Sequence, residues 1–128
     1  MADAEAVFVA WLEQEFTDAR ICTETPANLA DVLPCIQVTR IGGGDEEVST
    51  FDNPRMDFDC YAATRSAARD LAYAVRASIR NDLPGETIGG AFASRVSSST
   101  GPSWAPHTNT NLRRFVYSAQ IRLHSLEA

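Results

Sequence analysis

Apolar residues recur along this chain with two different periods, and the changes of period mark out its elements. Between residues 3 and 17, Ala4, Val7, Phe8, Trp11 and Leu12 fall at i, i+3, i+4, i+7 and i+8. That spacing places them on one stripe of a helix, with Asp3 positioned as its N-cap and Glu13, Gln14 and Glu15 mostly off the stripe. A short strand is expected at residues 20–23, followed by a loop over 24–34 that Pro26 and Pro34 break. Residues 35–41 then alternate: Cys35, Gln37, Thr39 and Ile41 share one face, and Ile36, Val38 and Arg40 the other. Their β-branched content fits a strand. Residues 55–61 alternate more cleanly, with Met56, Phe58 and Cys60 against Arg55, Asp57, Asp59 and Tyr61. Strict period two with one polar face predicts a half-buried strand.

The helical period returns at residues 65–81, with Thr64 as the cap. Ala68, Leu71, Ala72, Val75 and Ile79 form its apolar stripe, and Arg65, Arg69, Arg76 and Arg80 decorate the rest. Pro84 and Gly85 stop it. Residues 87–99 read as a strand whose early glycines predict a bend or bulge. A polar loop with two prolines follows over 100–111. Residues 113–125 alternate again: Phe115, Tyr117, Ala119, Ile121 and Leu123 on one face; Arg114, Val116, Ser118, Gln120, Arg122 and His124 on the other. The order α-(β)-β-β-α-β-β predicts an α+β fold. Its sheet is mainly antiparallel, with four to five strands and two helices packed on it, as one domain over residues 1–128. No repeat of fixed period is present.

Composition narrows the function classes. The 128 residues carry 17 acidic and 11 basic side chains, a net charge of −6, and every basic residue is arginine. No basic stripe of the kind that nucleic-acid-binding domains show is visible. No stretch approaches the roughly 20 apolar residues of a membrane span. The first residues show no signal-peptide pattern, so a cytoplasmic site of synthesis is expected. Cys22, Cys35 and Cys60 form no CxxC pair, and their odd number argues against a disulfide framework. They are expected to be reduced and mostly buried.

Candidate chemistry is sparse. Gly42-Gly43-Gly44 could suggest a phosphate loop, but no lysine follows, and Asp45, Glu46 and Glu47 would repel a phosphate. The dinucleotide fingerprint opens a helix, whereas the next strong element here is a strand. Residues 42–54 are therefore expected to be a flexible connection between antiparallel strands, with Asp52-Asn53-Pro54 as the turn back into the sheet. Asp57 and Asp59 share a strand face, where they could bind metal, act as acid and base, stand solvated, or meet arginines such as Arg114 and Arg122. His107 and His124 have no partner at a metal-ligand spacing, and the serine-rich stretch has no nucleophile elbow. Trp104 either folds back on its own domain or anchors an interface, and the second is favoured. No catalytic group, cofactor or metal is expected.

The stretches PCIQVTRIGGGDEE, FDNPRMDFDCYAATRSAARDLAYAVRASI and NLRRFVYSAQIRLH, in that order, carry a resemblance. The pattern P-x-I-x-V-x-R-x-G-G, then D-x-P-R-x-D-x-D-x-Y-A, an arginine- and alanine-rich helix, and an arginine pair before an amphipathic strand resembles tail terminator (tail completion) proteins of long-tailed, siphovirus-type actinobacterial phages. It covers roughly residues 5 to 124. The resemblance implies a structural virion protein without enzymatic activity. It implies a homo-hexameric ring on the last ring of the tail tube, which ends tube polymerisation and offers a joint to head–tail connector proteins. The place implied is the neck region of the tail, after assembly in the host cytoplasm, with no membrane and with DNA passing the bore without specific binding. An acidic surplus suits such a bore, because carboxylates repel phosphates. The candidate interface residues are Asp45, Glu46, Glu47, Arg55, Asp57, Asp59, Trp104, Arg113, Arg114 and Arg122. The long segments 42–54 and 98–112 are expected to order against neighbouring subunits or the tube. Two alternatives stay open: a connector or neck protein of the same particle, and a small-ligand-binding or enzymatic α+β domain.

Overall fold

In the computed structural model the residues described are 3–44, 51–109 and 111–126. Asp3 caps helix α1 (Ala4–Glu15) by accepting a hydrogen bond from the Glu5 amide at 3.0 Å. The helix buries Ala4, Val7, Phe8, Trp11 and Leu12, the stripe that the 3.6-residue period predicts. Thr64 caps helix α2 (Arg65–Ala77), its hydroxyl accepting from the Ala67 amide at 3.2 Å. This helix runs on into a π-turn at Ser78–Asp82, so the helical stretch matches the expected 65–81 in extent but loosens in its last turn.

The strands are β1 (Arg20–Cys22), β2 (Cys35–Gly44), β3 (Phe51–Ala62), β4 (Thr87–Ile88), β5 (Ala91–Trp104) and β6 (Arg113–Ser125). They form one sheet in the order β1-β2-β3-β6-β5-β4. Only β1 and β2 are parallel; every other neighbouring pair is antiparallel. The expected α+β class holds. The sheet has one strand more than expected because Gly89 and Gly90, at φ 61° and 79°, fold residues 87–99 into a tight hairpin between β4 and β5. Helix α1 packs beside β1 and β2 at one edge and touches β4 at the other, so the curled sheet wraps around it.

Two expected loops are shorter than their sequence suggests. Gly42, Gly43 and Gly44 are not a flexible connection but the end of β2, paired with Arg55, Pro54 and Asn53. Likewise Asp52-Asn53-Pro54 is no turn; it lies within β3. The partner strand's hydrogen bonds override the poor strand preference of glycine. Beyond position 98, β5 continues to Trp104, with register shifts between Ala93 and Arg95, Val96 and Ser98, and Thr100 and Ser103. Those bulges let a strand without regular alternation keep pairing with β6.

The core lies between the helices and one face of the sheet. Phe8 of α1 meets Phe58 of β3 edge-on at 5.7 Å, and Phe58 stacks on Tyr117 of β6 at 5.9 Å. Trp11 donates through Nε1 to the Ser78 hydroxyl at 2.9 Å, both groups being buried. This bond fixes α1 against the π-turn that ends α2. A second, smaller cluster of Leu29, Cys35, Tyr61 and Leu112 closes one end of the opposite face.

Candidate functional site

The rest of that opposite face carries the polar residues of β3 and β6. Alternation puts Asp57 and Asp59 of β3 beside Ser118 and Val116 of β6, with Arg114 one pair further along opposite Tyr61. The expected meeting of carboxylates with the last strand's arginines occurs at Asp59, whose Oδ2 lies 3.9 Å from Arg114 Nη1. Arg114 also donates to the carbonyls of Ala105 and Pro106, at 3.1 and 3.2 Å. It therefore ties the segment after β5 to the sheet. Asp57 does not meet Arg122; its Oδ1 accepts a short hydrogen bond from the Ser118 hydroxyl.

Burial pushes the Asp59 carboxyl above its ordinary value; Arg114 partly offsets this, and Asp57 adds to it. The cause is desolvation of a half-buried acid rather than a paired catalytic geometry. No group of three or more His, Cys, Asp or Glu placed to hold a metal occurs among the described residues. Burial also drives the Cys35 thiol up to about 12, helped by Cys22, whose sulfur lies 3.5 Å away. Cys60, fully buried, is raised as well. Both thiols are held protonated and so are poor nucleophiles at neutral pH.

Trp104 folds onto its own sheet. Its ring packs edge-on against Phe115 at 5.5 Å, and the Arg65 guanidinium sits 4.6 Å above it. It remains only partly buried. Arg113 donates to the neighbouring Leu112 carbonyl at 3.3 Å. Arg55 lies half-exposed on β3 opposite Gln120. Asp45, Glu46 and Glu47 lie outside the described residues.

One ion pair with two hydrogen bonds was not among the candidates. Arg40 of β2 grips Asp52 of β3 with both terminal nitrogens, at 2.7 and 2.8 Å. Its Nε donates to the Gly42 carbonyl at 3.1 Å, and its amide donates to Glu5 of α1 at 2.9 Å. One residue thus joins the first helix to the end of the β2–β3 pair where β2 stops and β3 begins. Both partners stand in the quoted patterns, as the R of V-x-R-x-G-G and the D of D-x-P-R. Register sets Arg40 opposite Met56, so the contact comes from the long Arg40 side chain reaching along β3, which no local pattern encodes.

Among the described residues no helix is long and apolar enough to cross a membrane. No curated protein matches the sequence. Residues 1–102 match the family model described as phage tail termination protein. With so much of its length matched, the chain belongs to the family of phage tail termination proteins, structural components of the virion tail.

Proposed function

We propose that this protein caps the tail tube as a homo-hexameric ring, ends tube polymerisation there, and offers the joint to the head–tail connector proteins, as a structural part without catalytic activity. Support comes from the division of the sheet into two faces. One face is sealed by both helices over the apolar core. The other carries half-exposed Arg55, Asp57, Asp59, Arg114, Ser118, Gln120 and Arg122, a polar wall suited to neighbours or to a water-filled bore. These residues, with Asp45, Glu46, Glu47, Trp104 and Arg113, are the proposed contacts with subunit, tube or connector. DNA passes the ring without specific binding, because the acidic surplus repels phosphate.

Electron microscopy of tails assembled with and without the protein tests this reading. Tubes of defined length capped by a ring are expected with it, and overlong or still-growing tubes without it. Tails of normal length and number in its absence would refute termination. Binding to the portal side of the joint alone would instead identify a connector. A ring structure with a strongly basic lumen would overturn the proposed passage of DNA.

A further inference from the structure

Beyond its first turn, strand β5 forms an outer edge of the sheet. Strand β4 pairs only with Ala91 and Phe92, and Gly85 and Glu86 bond to Ala93 just beyond. From Arg95 onward no strand lies on the outer side of β5 among the described residues. Residues 97–101 are all exposed. Between the bulges at Val96/Ser98 and Thr100/Ser103 lies one regular stretch, Ser98 to Thr100, paired on its inner side with Gln120, Ala119 and Ser118. Its outward amides and carbonyls are a short template for a further strand.

Beside that stretch lies a cleft of about 390 Å³. Arg80 and Pro84, from the end of the second helical stretch, line one side, and residues 95–99 of β5 line the other. Arg80 and Arg95 are exposed, and neither forms an ion pair or hydrogen bond among the described residues. The Tyr117 hydroxyl is buried with no hydrogen-bond partner among those residues, and it lies close to Ser99 and Arg80. An unpaired buried hydroxyl is costly, and an acceptor oxygen entering beside Ser99 would satisfy it.

These features select one kind of occupant. Two guanidinium groups without partners call for an anion. A strand edge calls for a polypeptide, because only a peptide backbone answers its alternating N–H and C=O groups. Nucleic acid offers no such backbone, and the net charge of −6 disfavours it. A second copy presenting its own β5 would set two arginine-bearing edges together with no acid between them. The far edge of the sheet is already occupied: β1 and α1 stand beside β2, and Glu5 takes the Arg40 amide.

We propose that the β5 edge takes an extended, acid-bearing segment of another tail protein as an added strand, with its carboxylate in the cleft of Arg80 and Arg95. Backbone bonds to Ser98–Thr100 set the register of the added strand. Alternation then turns every second side chain toward Arg80, so the position of the acid carries the specificity. Exposed ion pairs are weak and screened by salt, so the contact loosens as ionic strength rises. This surface is assigned whether or not the subunits form a ring.

Photo-crosslinking in assembled tails tests it. Ser98→p-benzoylphenylalanine is introduced into the full chain, the tails are irradiated, and the captured segment is mapped by mass spectrometry. Capture of an acid-bearing segment of a different tail protein is expected. Adding Arg80→Glu with Arg95→Glu is expected to lose most of that capture, with the fold unchanged by circular dichroism. Reversing the mapped acids to arginine is expected to restore it. Arg80→Gln with Arg95→Gln, which adds no charge, is expected to weaken capture in the same direction and guards against a folding defect. Capture of DNA, of a second copy of this chain, or of a segment without acids overturns the proposal. Capture that charge reversal leaves undiminished, or no capture at all, overturns it too. Tails that grow to normal length without this protein remove the terminating role proposed above, while capture at Ser98 would still stand.

Discussion

Arg40 of β2, opposite Met56 in the register, reaches along β3 to grip Asp52 with two hydrogen bonds of 2.7 and 2.8 Å. The Asp52 side chain keeps 9% of its exposure and that of Arg40 keeps 35%, so the acid is nearly dry while its partner reaches water. Removing the cation leaves a buried carboxylate unpaired, which is costlier than removing both members. Because Arg40 is partly solvated, the expected loss for Arg40→Ala is about 2 kcal/mol, below the fully buried range. Arg40→Met with Asp52→Leu is expected to lose less than either single change. Urea denaturation of the two single variants and the pair measures this coupling. Purely additive losses would show that the fork contributes nothing of its own.

Gly43 answers a steric demand rather than a ligand. Its φ is 119°, and a Cβ at that position would stand 2.2 Å from the Asn53 carbonyl oxygen. The obstruction is backbone, which cannot rotate aside. Gly43→Ala is therefore expected to cost about 1–3 kcal/mol, from strain at positive φ and displacement of β3. Gly101, with open space at its Cβ position and no positive φ, is the control. Its change to Ala is expected to shift the melting temperature little. Equal melting temperatures for both variants would disprove the close approach.

Much of this architecture is legible from periodicity, and the gaps have physical causes. The stripe of α1 and the alternation of 55–61 and 113–125 read correctly because each element has one buried face. The meeting of Asp59 with Arg114 was within reach because both lie on the polar faces of amphipathic strands. Glycines and serines carry no such record. Gly42–Gly44 and Ser97–Gly101 are strand because β3 and β6 hold them there, not by their own preference. The Arg40–Asp52 fork and the open edge of β5 depend on strand order, which no local pattern encodes.

Trp11 and Ser78 make a second test of buried polarity. The indole N–H donates to the Ser78 hydroxyl at 2.9 Å, and both residues are almost wholly buried. Ser78→Ala strands that donor, so a loss of about 1–2 kcal/mol is expected. In a Trp11→Phe background the same serine change is expected to cost clearly less, because no donor remains to be stranded. A double-mutant cycle by thermal denaturation reads the difference. A cost of Ser78→Ala that is unchanged by Trp11→Phe would mean the bond does not anchor α1.

Asp59 gives the protein a definite pH response. Burial raises its carboxyl above the ordinary 3.8, and the Arg114 charge lowers it only in part. A carboxyl raised on folding binds more protons in the native state than in the unfolded chain, across the window above its unfolded value. Stability contributed by the protonated form is therefore lost as pH rises from about 4 through the folded value. Asp59→Asn is expected to flatten this part of the stability–pH curve. Arg114→Ala removes the opposing charge and is expected to move the Asp59 titration further up. Arg114 also holds the Ala105 and Pro106 carbonyls, so a stability change alone would not separate the two roles. Carboxyl-carbon NMR titration of Asp59 does separate them. An unmoved or lowered midpoint in Arg114→Ala would show that the 3.9 Å contact exerts no field on the acid.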